Sequence, residues 1–502
     1  MFNHENTSRR DSDDSTTDEA ISLSFSRAFS SLILIISFIF ICYVLLGASL
    51  QLVMLMSLIA AMGLGVLNGF SFAYIEKHAC DAIKQVIPLM FILFAVGALI
   101  GAWMLSGTVP AIIYGGLSII SPQYFLITTV LLCMATSLAT GTSWGTMGTM
   151  GIAMMGVGAG IGIDPGITAG AIISGAYFGD KLSPLSDSTN LAPAVSGSTL
   201  LEHIRRTLWT TLPAIVLTLI VFLVIGLSTG SSAGDLAANA QQIDAIRAGL
   251  QDHFNITWGS AVPLVIVVGL LIAKQPAYTS ILVGAVVGGL MAIPLQGASL
   301  DDTLAVLYQG FSIETGLTNL DSLLNRGGVQ SMYPLAALFF FAVGLGGVLN
   351  GTGIITGTMR PVLPWLNSVR RVSLATIPLV LLTLMIGASF SFAAVITGTI
   401  MKPIYQRFGI EPRNLSRTIE DTGTVNDPTF PWSSGAIYAS GVLGVATLDY
   451  LPFMYFAFFS MAFSVLYAAT GFTITTRDTP HILFPWSDNK SETNHADVQK
   501  NP

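Results

Sequence analysis

The chain has 502 residues, of which 52% are hydrophobic and only 10% charged, whereas an ordinary soluble domain carries about a quarter charged residues. Fifty glycines, eighteen methionines and a mean hydropathy of +0.71 fit helices packed closely in lipid, where small residues let backbones approach. The formal charge of −7 gathers mostly in the tails and one connecting stretch, so it points to no nucleic-acid partner. Cys42, Cys80 and Cys133 have neither metal-ligand nor disulfide spacing.

Residues 1–27 are polar and too acidic for a cleaved signal peptide, and read as a disordered cytoplasmic tail. Apolar segments of roughly 17–25 residues, the length that spans hydrocarbon, follow at 29–49, 50–67, 86–105, 122–138 and 206–228. After a polar stretch at 229–257, read as an external linker, a second set lies at 258–274, 276–294, 333–351, 370–388 and 451–473. Residues 474–502 read as a second cytoplasmic tail. The chain is therefore expected to be an all-α polytopic membrane protein whose halves are 28–228 and 258–473. Two further stretches, 139–200 and 389–449, are long enough to cross the bilayer but carry glycines, prolines and charges, and function is expected there.

The halves resemble each other. GIDPGITAGAIISGAYFGDKLSPLSD begins at Gly162 and GIEPRNLSRTIEDTGTVNDPTFPWSS at Gly409, an ungapped offset of 409 − 162 = 247. Asp164 then matches Glu411, Asp180 matches Asp427, and FAVG at 94–97 matches FAVG at 341–344. One residue out of that register, GTSWGTMGTM (141–150) matches GASFSFAAVI (387–396). Lys77, Lys84, Arg205 and Arg206 in the first half, and Lys274, Arg370, Arg371, Lys402, Arg407 and Arg413 in the second, can all face the cytoplasm, while the connections 106–121 and 161–166 have no Lys or Arg. That assignment predicts inverted repeats with broken helices and hairpins at the midplane, a signature of alternating access, with both termini cytoplasmic.

The strongest local feature is SGAYFGDKLSPLSDSTNLAPAVSG, 174–197. Asp180 and Asp187 stand seven apart, with Lys181, Ser183, Ser186, Ser188, Thr189 and Asn190 among them. Gly179, Pro184 and Pro193 interrupt a helix, freeing carbonyls to point into a cavity. Carboxylate, hydroxyl, amide and carbonyl oxygens together suit a hard cation such as Na+. The alternative is a polar surface loop whose aspartates cap helices. The matching segment, 417–435, holds Glu420, Asp421, Thr422, Thr424, Asn426, Asp427, Ser433 and Ser434. Neighbouring carboxylates repel when ionised, so such a set can take either a proton or Na+. Asp180, Asp187 and Asp427 are the expected Na+ ligands, with Asp421 and Glu420 as further cation or proton groups and Lys181 as their charge partner. For Glu420, beside Arg417, a surface ion pair is the competing reading. Thr142, Ser143 and Ser389 stand beside the breaks and are placed near the site, although small residues there also suit helix packing.

Glu76, Lys77, Asp81 and Lys84 read as a solvated loop, and His78, His203 and His253 as residues of loops or span ends without zinc-like spacing. The stretch 300–330, with Glu314 and Asp321, reads as lying along the membrane surface. No GxxxxGK[ST] motif supports transport driven directly by ATP, and no nucleophile with a base in the spans suggests an enzyme.

SGAYFGDKLSPLSDSTNLA, 174–192, closely resembles the signature of the NhaC family of Na+/H+ antiporters, as do the GTSWGT run and EDTGTVNDPTFPWSSG. The likeness extends from about residue 30 to residue 473, with Ser188 where that family usually has Thr. It implies a site near Asp180, Asp187 and Asp427, a bacterial inner-membrane location, and exchange of Na+ for H+. The transported ions and the lipid bilayer are the partners it implies, no cofactor is needed, and a homodimer is compatible with it. Because similar members couple malate and protons to Na+ and lactate, a Na+-coupled carboxylate or amino-acid transporter is the alternative.

Overall fold

The computed structural model describes residues 23–476 apart from 230–232, 317–319, 322–323, 360 and 362, so most of both tails lies outside the described residues. Among the described residues, eight helices are long and apolar enough to cross a membrane, or up to ten if each of two bent helix pairs is one span. The chain opens with α1 (Phe25–Leu45), α2 (Leu50–Leu67) and α3 (Phe72–Leu105). At 34 residues α3 is about 51 Å long by the 1.5 Å rise per residue, well beyond the hydrocarbon thickness. The expected loop at Glu76–Lys84 is therefore helix, its charges on the exposed first turns, where Lys84 and Asp81 pair at 2.7 Å. Charge density hid the helix, because it was read as a membrane boundary.

There follow α4 (Thr108–Ile119), α5 (Phe125–Thr140), the return helix α6 over 143–161, α7 (Pro165–Leu182), α8 (Asp187–Ser196) and α9 (Leu200–Thr229). The polar stretch 229–257 is mostly α10 (Ala233–His253), with Ile246 and Leu250 buried and the Arg247 guanidinium 5.0 Å from the Tyr114 ring centroid. The second half comprises α11 (Val262–Ile272), α12 (Ala277–Gln296), α13 (Leu300–Gln309), α14 (Tyr333–Gly351), α15 (Ile354–Met359) and α16 (Val369–Gly387). It ends with α17 (Phe390–Arg407), α18 (Pro412–Thr422), a 3-10 turn at Thr424–Thr429, α19 (Ser434–Leu443) and α20 (Tyr455–Thr470). The segment after α13 docks against α3, with Gly328 N–H donating to Gly97 O at 2.7 Å, a contact only bare glycine backbones on both sides permit.

Glycines also set the central packing. A Cβ on Gly175 would lie 2.4 Å from Val130 O, and one on Gly179 would lie 2.4 Å from Leu138 N, so α5 and α7 run parallel in backbone contact. Between them α6 runs back, Gly151 against Ile172 and Gly158 against Thr168. The descending helices α5 and α7 break at Gly141 and at 183–186, and the breaks meet, Gly141 against Leu185. In the second half α16 breaks at Ala388, whose carbonyl accepts from Ser434 N–H at 2.7 Å, where α19 begins.

Several boundaries obey the offset of 247, although α7 continues to Leu182 where its counterpart α18 ends at Thr422 and gives way to the 3-10 turn. Gly141 and Ala388 are both left-handed (φ 72° and 53°), as are Gly162 and Gly409 (82° and 64°), and Gly197 and Gly444 (84° and 71°). Thr142 and Ser389 each cap the next helix by accepting a backbone N–H three residues on, and α8 and α19 are ten residues each. The match at 141–150 is thereby moved into register by one residue. The left-handed residue is Ala388, not Gly387, since a Cβ on Gly387 would strike the Phe392 ring. Helix α19 runs alongside α6, Tyr438 at Gly148 and Leu443 at Gly151, to the end of the molecule where α7 begins. Helix α8 runs with α17, Val195 at Gly398 and Gly197 at Lys402, to the opposite end, where α18 begins.

The break residues give a paired expectation. Ala388→Gly removes a left-handed side chain and raises stability by about 1 kcal/mol, whereas Gly141→Ala sets a Cβ 2.5 Å from Leu185 Cβ and lowers it. Thermal unfolding in detergent checks both signs.

Candidate functional site

Where the breaks converge lies a cavity of about 700 Å³, lined by Thr142, Ser143, Asp180, Ser186, Asp427 and Ser389 among others. Its lining extends through Gln85 of α3 and Lys274–Tyr278, between α11 and α12, toward the end where α18 begins. Asp180, two residues from the end of α7, and Asp427, on the turn after α18, are both buried and both face it.

Their surroundings differ. Asp180 is fully bonded: Ser143 donates to Oδ2 at 2.7 Å and Ser186, the cap of α8, to Oδ1 at 2.5 Å, while Thr189 donates to its main-chain oxygen at 2.6 Å. Asp427 accepts from Ser434 at Oδ2, 3.1 Å, and Ser433 donates to its main-chain oxygen. Its Oδ1 accepts nothing. Asp187 is exposed at the start of α8 and lines the cavity apart from the two buried carboxylates, because the 183–186 link turns between them. Among the described residues no three of His, Cys, Asp and Glu converge closely enough to hold a metal.

The remaining acids lie behind the cavity wall. Glu420 is fully buried, so the surface ion pair with Arg417 does not form. Ser188 donates to Glu420 Oε1 at 3.2 Å and touches Ser186 Oγ at 3.0 Å. Asp421 is paired instead: Lys181 Nζ stands 2.6 Å and Thr210 Oγ1 2.7 Å from its Oδ1, with Arg417 Nε 3.7 Å from Oδ2. Lys181 also donates to Ser460 at 2.7 Å and lies 5.6 Å from the Phe456 ring centroid. The charge partner inferred for Lys181 is thus Asp421, not its chain neighbour Asp180.

Several expected supporting ligands hold hydrogen bonds within the fold. Ser183 bonds Leu138 O at 3.3 Å, Asn190 bonds Pro184 O at 3.1 Å and Ser186 O at 2.7 Å, and Asn426 bonds Thr422 O at 2.9 Å. Tyr177 and Thr424 line the cavity although they were not placed in the site from sequence. Tyr177 had a usable signal, since it precedes Asp180 by three on one helix and so shares its face. His203 stands at a span end, in the first turn of α9, and is buried, its Nδ1 2.6 Å from Ser416 Oγ.

Broken helices meeting around two buried carboxylates within a bundle of membrane-spanning helices define a polytopic membrane transporter. The chain belongs to the Na+/H+ antiporter family, whose description matches residues 175–472. It is 40% identical over 399 residues to a Na+/H+ antiporter NhaC of Alkalihalophilus pseudofirmus, covering 79% of this chain and 85% of that one. It is 39% identical over 428 residues to a malate-2H+/Na+-lactate antiporter of Bacillus subtilis, covering 85% and 91%. An arginine/ornithine antiporter of Halobacterium salinarum is 34% identical over 461 residues, covering 91% and 94%. A GPI biosynthesis family description, Pig-F, matches only residues 2–112, which leaves out both buried aspartates.

The Lys181–Asp421 pair carries a stability expectation. Lys181→Met leaves Asp421 only the more distant Arg417, and Asp421→Asn leaves both cations without their acid, each costing about 3–5 kcal/mol, whereas Lys181→Met with Asp421→Leu recovers only part of it because Arg417 stays buried without its partner. Thermal unfolding of the three variants forms the test, and equal losses in single and double variants would show that the ion pair is not what sets stability there.

Proposed function

We propose that this chain exchanges Na+ for H+ across a bacterial membrane by alternating access, with Asp180 and Asp427 as the groups that trade one cation for the other. The observation that carries this reading is that two carboxylates equivalent at the offset of 247 are both buried beside broken helices and face one cavity. Units 28–228 and 258–473 act as inverted repeats, supported by the opposite courses of α8 and α19. The α18 end carries Arg205, Arg370, Arg371, Lys402, Arg407 and Arg413, which favours a cytoplasmic assignment for that end and for both termini. The cavity then faces the cytoplasm.

Protons have a second position. Asp180, Ser186, Ser188 and Glu420 form a chain with contacts of 2.5, 3.0 and 3.2 Å. Three such contacts need three protons, and two hydroxyls bring two. One carboxyl proton, on Asp180 or Glu420, completes the chain. Moving each proton one place along shifts it between the carboxylates while the heavy atoms stay still. Na+ entering from the cavity takes Asp180, and the proton it displaces leaves through the same cavity. On the other side Na+ departs, a proton from that side is taken up and shared along the chain between Asp180 and Glu420, and the protonated carrier returns. The cavity carries Asp180, Asp187 and Asp427 against Lys274, a balance that disfavours the alternative of an organic anion as cargo.

In proteoliposomes Asp180→Asn and Asp427→Asn should each abolish Na+-driven proton movement. A unit charge at about 4 Å contributes on the order of 4 kcal/mol at an effective dielectric near 20, roughly a thousandfold in affinity. Exchange at normal rate and Na+ affinity in both variants would remove the carboxylates from the mechanism. Ser188→Ala cuts the proton chain while sparing both carboxylates. It should slow Na+/H+ exchange about tenfold and leave Na+/Na+ counterflow intact, with Ser188→Thr restoring the proton-coupled rate.

A further inference from the structure

The cavity has provisions that an inorganic cation does not use. Asp427 and Tyr177 line the cavity, and within them Asp427 Oδ1 and the Tyr177 hydroxyl are buried and have no hydrogen-bond partner. A Cβ on Gly435 would lie 2.7 Å from both Asp427 Oδ2 and the Tyr177 hydroxyl, so the Asp427 carboxylate and the Tyr177 hydroxyl converge over a residue with no side chain to come between them. The pseudo-symmetry explains why the oxygen is free. Asp180 receives the Ser143 hydroxyl, but the residue 247 further on, 143 + 247 = 390, is Phe390. Where one half supplies a donor, the other supplies an aromatic face.

Size and wall chemistry agree. Some 700 Å³ lies within the roughly 300–1,000 Å³ of organic-ligand pockets, whereas a Na+ and its oxygen shell fill a small part of it. Trp144 and Phe390 add aromatic surface beside the aspartates, the pairing that recognises ammonium groups.

We propose that this cavity binds an organic primary ammonium ion, whose N–H groups donate to Asp427 Oδ1 and the Tyr177 oxygen while its apolar body lies against Phe390 and Trp144. Such a ligand competes with Na+. The proposal deepens the transport reading, resting on it for the cavity being the cation site, but its binding test needs no transport.

The test uses the full-length purified chain with n-butylammonium, and with 1-butanol and butyrate as neutral and anionic controls of similar size. Butylammonium should raise Tm saturably and raise the apparent KM for Na+ at least threefold in reconstituted exchange, with the controls doing neither. Tyr177→Phe should weaken the Tm effect about fivefold, one neutral hydrogen bond, and Asp427→Asn should abolish it. If Na+ raises Tm and butylammonium does not, or if butyrate acts as butylammonium was expected to, the proposal is overturned. A butylammonium effect unchanged in Tyr177→Phe and Asp427→Asn overturns the assigned site. Saturable butylammonium binding in a protein that exchanges no Na+ for H+ would support this inference while overturning the exchange reading.

Discussion

Backbone that leaves a helix inside a membrane must find its hydrogen bonds within the protein, because lipid offers none. This chain meets that constraint by bringing its breaks together. Gly141 abuts the 183–186 link, and Ser434 N–H bonds Ala388 O. Once the breaks coincide, the side chains beside them have no choice but to share a space. The cavity, the placement of Asp180 and Asp427 and the meeting of both halves all follow from where the helices stop.

The halves also differ in the side chains beside the breaks. Ser143 on one side and Phe390 on the other leave one aspartate fully bonded and its counterpart with a free oxygen. Identical shells would give two equal sites competing for one ion. The asymmetry shows in the contacts: Asp180 joins Ser188 and Glu420 through Ser186, whereas Asp427 keeps an oxygen without a partner.

Much of this was legible from sequence because duplication leaves a register that single residues do not. The offset of 247, read from prolines and acids, predicts cap, break and left-handed residue at position after position, and the apolar spans follow from hydropathy alone. What was hidden had physical causes. The first turns of α3 carry charges because the helix outruns the lipid, so composition marked a loop where there is helix. The match at 141–150 slipped by one because a left-handed position is expected to be glycine, and here it is Ala388. Lys181 was assigned no particular acid because its partner lies 240 residues away, across a helix pairing that no local pattern encodes.

That partner explains how a proton can be mobile among so many charges. Residues 180 and 181 on α7 face residues 420 and 421 on α18, and the two pairs cross. Lys181 holds Asp421 directly at 2.6 Å, while Asp180 reaches Glu420 only through two serines. Lys181 and Arg417 both stand at Asp421, whereas among the described residues no basic side chain forms an ion pair with Asp180 or Glu420. The ion pair also ties α7 to α18, elements of different halves, at the level of the breaks. Any rocking of one half against the other must therefore carry this contact as a pivot or part it, and parting two desolvated charges costs several kcal/mol. A pivot is the lower-energy course, and for the exchange proposed above it would set the axis beside Asp180 and Asp427.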